Sequence, residues 1–152
     1  MALLPGLVAV VLLLVANAFF VAAEFSLVAV DRARIEASAA AGHRGDARIR
    51  GLLRRLTPTM SGCQFGITVA ALLLGFVAEP TMARLLTGEA HATGLSVVAA
   101  IGTATVLHLV FGEQVPKYLA LAAPEATARR LASPLAAYST VTRPLITGLN
   151  RS

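Results

Sequence analysis

Tryptophan is absent from this 152-residue chain, cysteine occurs once, and charged residues make up only 14% of it. Each shortage closes off a class of protein. A single cysteine, Cys63, allows no intrachain disulfide and no multi-cysteine metal site. Soluble domains carry about 25% charged residues, so too little charge is present here to solvate a surface of this size. Aromatic residues are 5% of the chain. The net charge of +5 therefore lacks the aromatic stacking groups expected of a nucleic-acid-binding face, and no nucleic-acid partner is expected. What is abundant is apolar: hydrophobic residues make up 57%, and the mean hydropathy is +0.75. The lipid bilayer is the expected solvent.

Three stretches of 23 residues contain no Lys, Arg, Asp or Glu: Met1 to Ala23, Leu56 to Ala78, and Ala90 to Gly112. As helix each is about 34 Å long, against a hydrocarbon core of about 30 Å. Spans are expected at about 3–30, 57–78 and 92–112, with residues 113–152 as juxtamembrane helices. Ala16-Asn17-Ala18 has the small-x-small form of a signal-peptidase site. No basic residue precedes the apolar run, however, and apolar character continues to Val30, so a retained span is favoured.

The arginines set the expected orientation. Seven of the thirteen basic residues (Arg32, Arg34, Arg44, Arg48, Arg50, Arg54 and Arg55) lie between the first two spans, and only Arg84 lies between the second and third. Cytoplasmic loops keep positive charge. The fold expected is an all-α integral membrane protein with three transmembrane helices and short juxtamembrane helices, N-terminus outside and C-terminus in the cytoplasm. The arginine-rich loop reads as two short helices turning at Gly42 and Gly45, its arginines solvated or against anionic lipid. Pro116, Pro124, Pro134 and Pro144 predict that the tail breaks into short helices along the membrane surface.

Polar residues inside the spans are the functional candidates. Asn17, Val21 and Glu24 share a face of the first helix. Thr57, Ser61, Gln64 and Thr68 form a stripe along the second, beside the Gly62–Gly66 pair, which suits close helix contact. The stripe reads as interhelical hydrogen bonding or as oxygen donors along an ion path, since hard cations take carboxylate, hydroxyl, amide and carbonyl oxygens. The third span ends at Phe111-Gly-Glu-Gln-Val-Pro-Lys117. Glu113 follows a glycine and precedes Pro116, so a broken helix end is expected to present a carboxylate and bare carbonyls to a cation. His108 reads as a packing residue.

Three segments together resemble the transmembrane domain of the CNNM/CorB/CorC (hemolysin-like) magnesium transporter family: Asn17-Ala-Phe-Phe-Val-Ala-Ala-Glu-Phe-Ser-Leu-Val-Ala-Val30, Ser61-Gly-Cys-Gln-Phe-Gly-Ile-Thr-Val-Ala-Ala-Leu-Leu-Leu-Gly75 and Phe111-Gly-Glu-Gln-Val-Pro-Lys117. The Arg143-Pro144-Leu145 segment fits the end of the same domain. The resemblance implies a homodimer in the cell membrane that exports Mg²⁺, in some members in exchange for Na⁺. It also implies a cytosol-facing cavity whose Ser hydroxyls, Asn amide, Glu carboxylate and backbone carbonyls hold the dehydrated ion. Ser61 and Glu113 match the family's second-span Ser and third-span Glu. Val21 stands where magnesium-binding members have Ser, and Ile67-Thr68 where they have Asn. The metal-binding set expected is therefore Ser61, Gln64, Thr68, Gly112 and Glu113, with Glu24 as an outlying member. Full-length relatives continue into regulatory CBS domains and a C-terminal domain not contained in these residues, so the resemblance implies a fragment or a truncated member.

A membrane domain of a Mg²⁺ transporter is thus the leading expectation. The rival is a dimeric anchor that holds regulatory domains at the membrane without transport of its own. An intramembrane protease using Ser61 and His108 ranks third, because Ser61 lacks a Gly-x-Ser-Gly setting. No enzymatic activity and no catalytic residue are expected.

Overall fold

A computed structural model describes residues 3–88 and 94–149, without the side chains of 87, 96, 143 and 145–149. Among the described residues every element is helical: α1 (Leu3–Ala29), α2 (Arg32–Ala40), α3 (Arg44–Leu53), α4 (Leu56–Thr87), α5 (Leu95–Leu107), a π-helical segment (His108–Gln114), α6 (Val115–Ala122) and α7 (Pro124–Leu149). Three stretches are long and apolar enough to cross a membrane: Leu3–Ala29, Leu56–Leu86 and Val97–Ala122. The expected outer end of the third span, at 92, and the chain end at 150–152 lie outside the described residues.

By its internal contacts the chain forms two compact units. The first comprises Met1–Ala18 and Gly66–Val115. Here Val10 of α1 packs on Leu74 and Ala78 of α4, with Ala104 of α5 against them. Met82, Ala83 and Ala100 form a second cluster with Leu7 and Leu107. Alanines at these contacts let the backbones approach closely, the packing mode of helices in lipid. The outward faces carry Leu4, Leu12, Leu72, Phe76 and Val98, all exposed. In water such a surface would aggregate; in a bilayer it faces acyl chains.

The second unit comprises Phe19–Phe65 and Pro116–Ser152. Asp31 caps α2 by accepting hydrogen bonds from the backbone N–H of Ala33 (2.9 Å) and Arg34 (3.2 Å). Gly42, at φ +95°, makes the left-handed turn into α3 that a side chain would strain. Ile35, Ile49 and Leu52 then bury their side chains with Leu27, Cys63, Ala128, Ala132 and Leu135.

Two expectations about proline are corrected. From Pro124 on, the tail is one helix, α7, that runs through Pro134 and Pro144 instead of several short ones. Pro134 is exposed, so the carbonyl it leaves without a donor can reach water, while Ala128, Ala132 and Leu135 anchor the opposite face. Pro116 does not end the third span either. The Val115 N–H bonds the Val110 carbonyl in a π pattern, and Pro116 then falls in the first turn of α6, where a missing N–H is tolerated.

Candidate functional site

The consequence of Pro116 appears four residues earlier. Proline has no N–H to give the Gly112 carbonyl, so the helix itself leaves that acceptor short of its usual i+4 donor. Asn17 of α1 supplies one: its Nδ2 donates to the Gly112 oxygen at 2.9 Å, with Asn17 fully buried. A side chain at position 112 would force the His108 ring to move. A Cβ at position 112 would lie 2.6 Å from His108 Cδ2 and 3.2 Å from Asn17 Nδ2.

Around this bond sit groups with unmet capacity. Asn17 Oδ1 and His108 Nε2 are buried atoms without a hydrogen-bond partner. The Gly112 carbonyl keeps a second lone pair. His108 Nε2 lies 3.7 Å from Glu113 Oε1, and the Glu113 side chain is half exposed. The π-helical segment thus gathers an orphan amide oxygen, a capped carbonyl, an imidazole and a carboxylate within a single unit. Orphan oxygens beside a carboxylate are the chemistry a hard cation satisfies. Next to it, a cavity of about 110 Å³ between α4 and α5 is lined by Gly75, Glu79, Thr105 and His108 among others. Thr105 is committed elsewhere, since its hydroxyl donates to the Ile101 carbonyl at 2.8 Å.

The expected metal-binding residues fall into two groups. Gly112 and Glu113 belong to the first unit, as does Thr68, which is exposed there. Glu24, Ser61 and Gln64 belong to the second. Gln64 Nε2 donates to Glu24 Oε1 at 3.2 Å, so these two do meet. Beside Ser61, the Gly62 carbonyl accepts the Tyr138 hydroxyl at 3.0 Å, and the Tyr138 ring rests on Phe20 with centroids 4.7 Å apart. No group of three or more His, Cys, Asp or Glu side chains clusters among the described residues. Sequence reasoning left Asn17 and His108 outside the expected set. The available signal was the Gly112-x-x-x-Pro116 spacing, which orphans a carbonyl at membrane depth, together with one buried-type amide in the first span.

Beyond the span ends, charge is organised around Asp46. Its carboxylate accepts from Arg129 Nε at 2.7 Å and Nη2 at 3.1 Å, and from the Ser38 hydroxyl. Arg129 holds the Asp46 carboxyl below the usual carboxylate range, against the opposing effect of burial, and Ser38 adds to the lowering. Glu125 bridges Arg34 at 3.1 Å and Arg129 at 3.8 Å.

Comparison with known proteins gives a coherent result. The family described as "CNNM: Cyclin M transmembrane N-terminal domain" matches residues 7–152. Uncharacterized protein MT1889 of Mycobacterium tuberculosis is 37% identical over 99% of this chain and 45% of its own length. UPF0053 protein MT1890 of the same organism is 38% identical over 92% of this chain and 32% of its own. UPF0053 protein YugS of Bacillus subtilis is 34% identical over 99% of this chain and 37% of its own. The chain spans less than half the length of these relatives.

Proposed function

The chain belongs to the CNNM family through its cyclin M transmembrane domain, and on that footing we propose that it is the membrane-embedded part of a divalent-cation transporter whose cargo is Mg²⁺. The reading includes export, with Na⁺ as the counter-ion, by a homodimer in the cell membrane with its N-terminus outside. The arginine bias supports that orientation. No covalent chemistry is assigned to it.

The observation that carries the reading is the buried, unpartnered Oδ1 of the Asn17 amide that holds the Gly112 carbonyl, with Glu113 the next residue in the chain. Mg²⁺ prefers six oxygens and sheds water reluctantly, so a dehydrating site needs fixed protein oxygens of this kind. Glu113 would supply the charge, with Gly112 and Asn17 supplying neutral oxygens. Ser61, Gln64, Thr68 and Glu24 enter the proposal as further donors, each open to its own substitution. Val21, buried where magnesium-binding members carry Ser, favours the second reading, a membrane anchor for regulatory domains.

Isothermal titration of the purified chain with Mg²⁺, alongside a flux assay in liposomes, separates the two. Glu113→Gln keeps the shape and removes the charge, so it should weaken binding at least tenfold, while Thr105→Val leaves binding intact. Unchanged binding and flux in both Glu113→Gln and Ser61→Ala would remove the transport reading and leave the anchor.

A further inference from the structure

Sorting the arginines of the second unit by partner divides them sharply. Arg34, Arg50, Arg54 and Arg129 each meet a carboxylate: Arg34 and Arg129 at Glu125, Arg50 and Arg54 at Glu36, and Arg129 again at Asp46. Arg32, Arg44, Arg48, Arg55 and Arg130 meet no acidic side chain among the described residues, and all five are exposed; three of them, Arg44, Arg48 and Arg55, lie in or just beyond α3. Arg44 and Arg48, at i and i+4, lie about 40° apart on the α3 wheel, and Arg55 follows two residues past the end of α3, in the turn before α4. Gly51 falls on the same line, and a Cβ there would meet nothing within 4 Å. The opposite side of α3 carries the buried Asp46 and Ile49. The helix therefore has one face docked into protein and one face of unneutralised guanidinium groups.

We infer that Arg44 and Arg48 on α3, with Arg55 in the turn that follows, form a binding surface for the headgroups of anionic phospholipids. Two observations select lipid as the occupant. Arg55 directly precedes Leu56, the first residue of a membrane span, so the stripe begins at headgroup level. The charge is also of one sign, and the carboxylates of Glu36, Asp46 and Glu125 are already taken by other arginines. Guanidinium forks match phosphate oxygens in a bidentate manner. The inference is independent of which ion the domain carries.

The test is lipid retention by the full chain. The protein is placed in nanodiscs of equal phosphatidylglycerol and phosphatidylcholine, extracted, and its bound lipids counted by native mass spectrometry. Wild type should retain phosphatidylglycerol selectively. A basic residue near an anionic surface contributes about fivefold in association, so Arg44→Gln/Arg48→Gln/Arg55→Gln should lower that selectivity at least tenfold. The matching lysine variant should keep most of it, which excludes a folding defect. Arg50→Gln/Arg54→Gln removes two charges that share Glu36 and lie outside the proposed surface, and should leave selectivity within twofold of wild type. Equal retention by wild type and the triple glutamine variant would overturn the inference and give the stripe to an acidic protein segment. An equal loss in Arg50→Gln/Arg54→Gln would overturn it as well, since net charge alone would then account for the effect.

Discussion

Asp46 and Arg129, 83 positions apart in the chain, share two hydrogen bonds, yet one partner is sealed and the other is not: the Asp46 side chain is 2% exposed and that of Arg129 45%. The pair ties α3 to α7. Its asymmetry means that losing either partner does not have the same effect.

Arg129→Gln strands a buried carboxylate, and breaking such a pair costs about 3–5 kcal/mol at full burial. Asp46→Asn strands only an arginine that can turn to water or to Glu125, for about 1–2 kcal/mol. Thermal melting in detergent should therefore rank Arg129→Gln well below Asp46→Asn. The double variant should lie above Arg129→Gln alone. The reverse order would mean that Asp46 is not sealed as described.

The same pair sets an acid limit. Its contact with Arg129 depresses the Asp46 pKa, so the stabilisation is fully present above the ordinary carboxylate value of about 4 and is lost as pH falls through the lower folded value. Melting curves between pH 7 and pH 2 should show wild type losing stability in that acid window more steeply than Asp46→Asn. Parallel curves would contradict the depressed pKa.

Asn17 and Pro116 should be coupled through Gly112. Asn17→Ala leaves a buried carbonyl without a donor, a loss of about 1–3 kcal/mol. Pro116→Ala restores a backbone N–H four residues on, so Asn17→Ala should cost less in that background. A double-mutant cycle on unfolding in detergent reads the difference directly. Strict additivity would mean that the proline does not create the need for the amide.

Tyr138→Phe keeps the ring on Phe20 and removes the hydroxyl from the Gly62 carbonyl, for about 1 kcal/mol. Tyr138→Ala removes both and should cost at least twice as much. Equal melting temperatures for the two variants would place the energy in the hydroxyl alone.

Orientation is read by cysteine accessibility in cells, with the buried Cys63 first changed to Ala. Ala41→Cys, in the exposed α2–α3 turn, should react only with membrane-permeant reagents. Leu95→Cys, at the exposed start of α5, should react with impermeant ones. The opposite pattern would invert the proposed topology.

Helix identity was legible in this sequence wherever one local rule operated alone. Uncharged length marks α1, and the glycine turn between Ala40 and Arg44 divides α2 from α3 because positive φ leaves few alternatives to Gly42. Proline was misread because its effect depends on surroundings not visible from local sequence. At Pro134 the freed carbonyl can reach solvent, and at Pro116 the Asn17 amide from another helix serves the carbonyl left without a backbone donor. The site was half legible for a related reason. Glu113 and Gly112 advertise themselves in a short motif, whereas the role of Asn17 arises from a hydrogen bond across 95 positions of chain.

Thr103 and Thr105 each turn the hydroxyl back onto the carbonyl four residues earlier, at 2.8 Å. To the surrounding acyl chains a threonine so folded presents a methyl group and almost no dipole, close to the profile of valine. The third span is the least hydropathic of the three and also the least covered by protein, with only 11% of its window buried. The polarity of these two threonines is thus spent inward on their own backbone, and the partitioning penalty implied by their names overstates what lipid meets.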